Sequence, residues 1–390
     1  MQLANRVSQL KPSATLAVNT LAQELKAAGR EVISLSVGEP DFDTPEHISQ
    51  AAIEAIKSGF TRYTAVPGIT ELRQAAADYF NRYGAGAKVE NVIISNGGKQ
   101  CLYNLFQSII DPGDEVLVPA PYWVSYPPLV ELAGGSAAVV PAGVDKGFKV
   151  SVEDLERHRT PKTKACIMNS PSNPTGAVYT RQELDAIAEW AVANKVMLVA
   201  DEIYDQLVYE PEVHSSLCAW WNKHPEYFTV INGVAKSYAM TGWRVGYTLV
   251  HPDLIKACNK LQSQSSSNIC SISQKAALAA LTGDQTCLAP MKEAFVRRRN
   301  LVMDIISSWP DVKCPTPGGA FYVFPDMSAH YNAAMPDSTS MCKFLLDKAG
   351  VALVPGEAFG DDNCIRLSYA TADSTLQKAL ELVGKALFNK

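Results

Sequence analysis

Between residues 92 and 250 the chain repeats one pattern: a short apolar run, polar or glycine-rich punctuation, then a longer segment with apolar residues at helical spacing. NVIIS (91–95), EVLV (115–118), AAVV (137–140), ACIM (165–168), VMLVA (196–200), FTVI (228–231) and VGYTLV (245–250) are the apolar runs. Near-continuous apolar strands alternating with helices predict an α/β fold, with a mostly parallel sheet covered on both faces. After the glycines at 97–98, Leu102, Leu105, Phe106 and Ile109 fall on one helix face. TRQELDAIAEWAVANK opens with the capping-box pair Thr180 and Glu183. In TPEHISQAAIEAIKSG, Thr44 is the expected N-cap, Pro45 the first helical residue and Gly59 the stop, with Ile48, Ile53 and Ile56 at near-helical spacing.

The pattern changes after about residue 285. A long helical stretch runs to about Ser308, and CPTPGGAFYVFPD and CIRLSYA carry strand signals with helices between and after them. This reads as a smaller α+β domain. The first 45 residues, with a helix at about 14–28, have no partner of their own and are expected to pack on it. The expected division is therefore a large domain over 46–285 and a small one from 1–45 with 286–390.

Length and composition fit this division. A chain of 390 residues has room for about two domains. With 47% hydrophobic and 19% charged residues it is an ordinary soluble globular protein. A formal charge of -5 with no basic run leaves no footprint for nucleic acid; FVRRRN (295–300) is expected to be a solvated helix face. No apolar stretch is long enough to cross a membrane, and the N-terminus lacks the apolar core of a secretory signal. The nine cysteines are scattered without a C-x-x-C pair. That argues for free thiols, most of them small core hydrophobes, in a reducing cytoplasm.

Ligands of open α/β sheets bind beyond the carboxyl ends of the strands. Five such ends carry unusual residues here: SNGGKQ (95–100), a phosphate cradle at a helix start; NSPSNPTGAVY with Asn173; VADEIYDQ with Asp201 and Tyr204; VAKSYAM with Lys236; and GWRVGY with Arg244. Singly, the first two read better as plain turns. A carboxylate ending the most apolar strand is costly unless it meets a positive partner. Pyridoxal 5'-phosphate uses all five: a phosphate for the glycine loop and Arg244, a ring nitrogen for Asp201, a ring oxygen for Asn173 and Tyr204, and an aldehyde for an amine. Lysine can form the Schiff base and then shuttle a proton, which assigns Lys236. A snorkelling surface lysine is hard to reconcile with Ala235, Tyr238 and Met240 around it.

VGEPDFDTP, YTAVPGITELR, GGKQ, PYWVSYP, NSPSNPTGAVY, DEIY, NGVAKSYAMTGWRVGY and IRLSYA together resemble the pyridoxal-phosphate-dependent class I aminotransferases of fold type I. The bacterial aspartate and aspartate-prephenate subgroup, with KPSAT near its N-terminus and GGKQ in the phosphate loop, is the most similar. The resemblance runs from Lys11 to about Leu387. It implies a seven-stranded, mostly parallel sheet between helices, and a homodimer with shared active sites. It implies Lys236 as the cofactor-bearing base, Asp201 on the ring nitrogen, Asn173 and Tyr204 on the ring oxygen, and Trp123 stacked on the ring. Gly98, Lys99 and Arg244 would hold the phosphate, with Tyr63 reaching that of the neighbouring subunit. Arg366 would grip the substrate α-carboxylate, helped by Gly38 and Asn173. Lys99 would meet a second carboxylate while Ser13 and Thr15 close over the substrate. Many relatives carry serine where this chain has Gly233, so one phosphate hydrogen bond is absent.

These implications favour an aspartate:2-oxoglutarate aminotransferase acting on amino acids and 2-oxo acids. The same chemistry on prephenate or aromatic substrates comes second, and a lyase on the same fold third, since such lyases lack the KPSAT and GGKQ pairing. The sensor half of a transcription regulator would need a fused DNA-binding domain, for which the residues before the first sheet unit leave no room.

Overall fold

The computed structural model describes residues 3–8, 10 and 12–388; Lys11 of KPSAT lies outside the described residues. Its strands are β1 (Ile33–Ser34), β2 (Val92–Ser95), β3 (Glu115–Ala120), β4 (Ser136–Pro141), β5 (Thr163–Asn169) and β6 (Met197–Asp201). They continue as β7 (Phe228–Gly233), β8 (Gly246–Leu249), β9 (Tyr322–Val323), β10 (Val351–Ala352), β11 (Val354–Pro355) and β12 (Ile365–Ser368). The seven strands β2 to β8 form one sheet in the order β2-β8-β7-β6-β5-β3-β4. Every residue of β2, β7 and β8 is buried, as expected of apolar runs covered on both faces.

Only β8 runs antiparallel to its neighbours. The chain between β7 and β8 holds no more than a 3₁₀ turn at Thr241–Trp243, too little to carry it back for a parallel return. In the parallel part, register sets Asn169 beside Asp201 and Asp201 beside Ile231, so β5 and β6 finish level and β7 runs two residues further, to Gly233.

A first hydrophobic cluster draws on residues from Ile48 to Leu281. A second joins Leu35 to residues from Met291 to Val383, and takes in Tyr204, Leu207 and Tyr209 from just beyond β6. The N-terminal segment belongs with this second cluster: β1 pairs in parallel with β10, and β9, β11 and β12 form a small antiparallel sheet. The capping box of helix Arg181–Asn194 forms as expected, with Glu183 N–H donating to Thr180 Oγ1 at 3.3 Å and Thr180 N–H to Glu183 Oε2 at 2.7 Å.

Three local expectations are corrected. Helix Glu46–Lys57 starts after Pro45, which itself holds the N-cap position. Thr44 serves tertiary structure instead: its hydroxyl donates to the Ala239 carbonyl at 2.9 Å and accepts from Trp243 Nε1 at 3.0 Å. The buried face of that helix is Ile48, Ala52 and Ala55, whereas Ile53 and Ile56 are 43% and 54% exposed. Alanines let the helix lie close against helix Ser271–Thr282, so the small residues face inward and the large ones outward.

The third correction concerns FVRRRN. Arg298 is buried, with its guanidinium forked onto both Asp41 oxygens at 2.6 and 2.9 Å and its Nε donating to Asp373 at 3.2 Å. It also lies over the Phe42 and Phe295 rings. One basic residue of the run thus ties the N-terminal segment to two helices of the second cluster. Asp41 and Asp373 keep 31% and 38% of their side chains exposed, so water can reach them once the arginine is gone. Arg298→Met should therefore lower stability by about 1–3 kcal/mol, the range for leaving hydrogen-bonded polar groups unpaired. Urea unfolding of this variant beside Arg297→Met, whose position is exposed, checks the value.

Candidate active site

The glycine loop begins with Gly97 at φ +79°, where an added Cβ would meet Arg244 Nη2 at 2.6 Å. Helix Gly98–Ile109 starts there, and its first N–H groups, on Gly98 and Lys99, have no acceptor within the helix. On the other side of the loop, a Cβ on Gly246 would strike the Gly97 carbonyl carbon and the Gly98 nitrogen at 2.5 and 2.6 Å. The helix start is thus packed directly on β8, with Arg244 folded over it. Arg244 itself has φ +57°, and its Nη1 donates to the Thr241 carbonyl at 2.9 Å. Free N–H groups, a helix N-terminus and a guanidinium together make an anion site.

Asp201 closes β6 in a fully buried position. Its Oδ2 accepts from Tyr126 at 2.7 Å and its Oδ1 from the Ile203 N–H at 3.3 Å. Burial pushes the carboxyl up to about 6 against those hydrogen bonds. Lys236 stands just beyond β7, and its ammonium donates to the Gly38 carbonyl at 2.6 Å. Burial pushes this amine down to about 8; Glu39 pulls upward, Arg366 and Arg244 downward, and Asp201 weakly upward. Its Nζ lies 5.9 and 5.8 Å from the centres of the Tyr204 and Phe321 rings.

Arg366 on β12 is 2% exposed. It donates to Asn173 Oδ1 at 3.1 Å and to the Ser36 carbonyl at 2.5 Å, between the Tyr322 and Phe359 rings, while its Nε is buried without a partner. Tyr204 and Tyr322 join hydroxyls at 3.0 Å. Gly38 must be glycine, since a Cβ would reach the Tyr322 hydroxyl at 2.6 Å. Lys99 Nζ sits 5.1 Å from the Trp123 ring centre, and burial followed by the charge of Arg244 holds it below the usual lysine range. Among the described residues neither Lys99, Arg244 nor Arg366 has a carboxylate within ion-pair distance.

The family model for aminotransferase class I and II matches residues 30–383. The chain belongs to this family. An aspartate/prephenate aminotransferase of Cereibacter sphaeroides is 47% identical over 97% of the chain and 96% of its own length. An aspartate aminotransferase of Bacillus subtilis is 44% identical over 99% and 98%. Among solved structures, the Thermus thermophilus aspartate aminotransferase with maleate superposes with a TM-score of 0.94 at 44% identity, covering 99% of this chain and all of that one.

In this aminotransferase the structure gathers Gly98, Lys99 and Arg244 at the helix start, and Lys236, Gly38, Asp201, Tyr204, Asn173 and Arg366 around the sheet's carboxyl end. Trp123 links the two groups: Lys99 lies over its ring, and its edge meets Tyr126, the partner of Asp201. Tyr63 is 90% exposed and is not among them. Ser13 caps helix Ala14–Ala27 without a side-chain hydrogen bond, and the Thr15 hydroxyl is buried without a partner; neither forms a hydrogen bond to these residues. Gly233 has a local reason, since a side chain there would meet the Val245 carbonyl at 2.8 Å where β7 and β8 pair.

Sequence reasoning passed over Tyr126, Asn169 and Tyr322. Asn169 accepts from the Asn173 N–H and donates to the Asp201 carbonyl, both at 2.9 Å, locking two strand ends together. Tyr126 and Asn169 lie inside quoted motifs, and Tyr322 follows the glycine pair of GGAFYVF; Asn169 and Tyr322 were legible as polar groups at apolar strand ends, whereas Tyr126 opens a helix.

The depressed amine gives a pH test. With no small molecule bound, Lys236 should react with an amine-directed reagent with an apparent pKa of about 8, mostly as free amine above that value. Removing the Asp201 charge in Asp201→Asn should move that midpoint lower, because the carboxylate favours the ammonium. Mass-spectrometric quantitation of Lys236 labelling against pH reads both effects; a midpoint near 10.5 would contradict the burial argument.

Proposed function

We propose that this aminotransferase carries the amino group of L-aspartate to 2-oxoglutarate in two half-reactions, giving oxaloacetate and L-glutamate, with pyridoxal 5'-phosphate as cofactor. The observation that carries the reading is a count of charges. Besides Lys236, which is reserved for the chemistry, Lys99, Arg244 and Arg366 are three cations of the site without a carboxylate partner among the described residues. A phosphate and the two carboxylates of aspartate supply three anions.

The residues fit the cofactor. Gly97 and Gly246 clear space where a Cβ would close the helix start, and the Gly98 and Lys99 N–H groups with Arg244 would hold the phosphate. Asp201 would hold a proton at the ring nitrogen, and Asn173 and Tyr204 would orient the ring oxygen, with Trp123 on the ring face. When bound, the cofactor would supply the electron sink for the carbon that loses its proton. Lys236 would take that proton and return it one position away; an amine near 8 is a base poised close to neutral pH. Arg366 would take the α-carboxylate through its unpartnered Nε, and Lys99 the distal carboxylate, with Ser13 and Thr15 covering the substrate. The similarity to the aspartate/prephenate aminotransferase of Cereibacter supports prephenate as a second substrate for the same groups.

A homodimer belongs to this proposal, with Tyr63 reaching the phosphate of the neighbouring subunit. The exposure of Tyr63, Ile53 and Ile56 at 90%, 43% and 54% supports a surface covered by a second copy. The division into domains at 46–285 and 1–45 with 286–390 also belongs to the proposal, and the two largest hydrophobic clusters support it. A cytoplasmic location is supported by the cysteines being free thiols.

Lys236→Ala should abolish turnover by more than the ~10⁴-fold assigned to acid–base catalysis alone, and borohydride reduction of the loaded enzyme should label Lys236. A label on another lysine would sink the assignment. Lys99→Gln tests the substrate. It should lower kcat/KM for aspartate and prephenate by at least about tenfold, since losing one partner of a desolvated ion pair costs about 2–5 kcal/mol. Alanine and phenylalanine should be little affected, and cofactor absorbance should persist. A uniform loss with weaker cofactor binding would make Lys99 a phosphate cation and remove the argument for a dicarboxylate.

A further inference from the structure

The turn that follows β6 faces two ways. Its front carries Asp201 and Tyr204. Its back carries Glu202 and Asp205, both buried. Glu202 Oε1 accepts the Leu217 N–H at 2.9 Å, and Oε2 lies 3.3 Å from His214 Nε2, with both side chains under one-tenth exposed. Asp205 accepts a short hydrogen bond from the Tyr79 hydroxyl, with Gln206 Nε2 at 3.3 Å and the Tyr83 hydroxyl at 3.5 Å. The Tyr83 ring meets the imidazole edge-on, with centroids 5.4 Å apart.

His214 Nδ1 and Asp205 Oδ1 are both buried without a hydrogen-bond partner among the described residues. The charged groups facing the imidazole are Glu202, Asp205 and Arg181. Burial alone would strip its proton. The hydrogen bond and charge of Glu202, then the charge of Asp205, outweigh burial and the opposing Arg181, so the imidazole titrates above its ordinary range. None of these groups touches the site described above, yet all of them hold the segment that builds it.

We propose that His214, paired with Glu202 behind the turn, is a positioning residue. It fixes from behind the turn that presents Asp201 and Tyr204, and so sets how firmly the cofactor ring is held. This rests on the cofactor reading given above. Glu202 is one residue from Asp201 and Asp205 one residue from Tyr204, so a shift of the back carboxylates is carried to the front side chains through the backbone. Glu202 N–H is itself pinned to the Ile231 carbonyl at 2.9 Å, which leaves the side-chain contacts to decide the tilt of the turn.

The test uses the holoenzyme and the variants His214→Gln, Glu202→Gln and the double substitution. The measurements are cofactor release, followed by absorbance, and kcat and KM for aspartate as functions of pH. His214→Gln should release the cofactor about tenfold more readily and lose about 10–10²-fold in kcat, the scale of a small misplacement of catalytic groups. KM should change little. The double variant should be no worse than the worse single one, because the pair acts as a unit. The sign of the pH effect follows from the raised imidazole: its charge is present at low pH and lost as pH rises through its folded value. The advantage of the unaltered enzyme over His214→Gln should therefore be full at about pH 6 and shrink at alkaline pH.

Wild-type cofactor retention and kcat in His214→Gln, additive losses, or a deficit equal at every pH would each overturn the proposal. If His214→Gln does not fold, the double variant, free of the uncompensated Glu202 charge, carries the same measurements. Failure of the unaltered enzyme to transaminate aspartate would count against the proposed substrate instead, and the cofactor-release comparison would still decide the role of His214.

Discussion

A carboxylate taken out of water at the end of β6 is the constraint around which the site is arranged. Asp201 titrates near 6, about two units above an ordinary aspartate, and each unit corresponds to about 1.4 kcal/mol. Keeping it ionised at neutral pH therefore costs the fold on the order of 3 kcal/mol. The sign follows from linkage. A carboxyl whose folded pKa is raised binds more protons when folded, so its contribution to stability falls as pH rises from about 4 to about 6. Tyr126 and the Ile203 N–H offset part of this cost, and Lys236 contributes only as the least of the named influences. A positive ring nitrogen at that carboxylate would remove the remainder. On the proposed reading, the energy withheld from folding would become affinity and protonation control for that ring.

Such a strained charge has to be placed accurately, and the fold places it with a sheet and not with loops. The adjacent parallel strands β5, β6 and β7 bring Asn169, Asp201 and, two residues further on, the start of the Lys236 segment to one edge. The antiparallel β8 then brings Arg244 and Gly246 against the glycine loop from the opposite direction. Close approach there depends on missing side chains at Gly97, Gly233 and Gly246. The second cluster supplies what the sheet cannot: Arg366 on β12 and Tyr322 on β9 close over the strand ends. Tyr204, Leu207 and Tyr209 continue from β6 into that cluster, so the segment bearing Asp201 is also the seam between the two cores.

Much of this was legible in the sequence because the signals are local. The apolar runs of β2, β7 and β8 are buried throughout and those of β3, β5 and β6 largely so, and each reads as a strand without knowledge of its neighbours; the edge strand β4 keeps Val139 exposed. The candidate site was legible because Asp201 and Lys236 interrupt apolar stretches that have no other use for a charge. The misreadings share a cause. Thr44, Ile53 and Arg298 were assigned from the segment in which they sit, yet each is decided by a distant partner. Thr44 answers to Trp243 and Ala239, and Arg298 to Asp41 and Asp373. Ile53 faces outward because the close helix contact is made by alanines. Tyr126, Asn169 and Tyr322 were passed over for the same reason, since their importance lies in which other side chain they hold.

The same distinction separates the two faces of the turn after β6. Residues on its front can be identified from the chemistry they would perform, because a ring nitrogen or a carboxylate asks for a definite partner. Residues on its back perform none, and only their burial and pairing reveal them. An ordinary structural turn would be covered by apolar side chains, which need no partners and leave no unmet polar atoms. Here two carboxylates and an imidazole are buried instead, and two of their polar atoms go unpartnered. Polar contacts have narrower geometry than apolar ones, so they restrict the turn to fewer orientations at some loss of stability. If Asp201 and Tyr204 meet one ring together, as proposed, that narrower geometry is what the site would require.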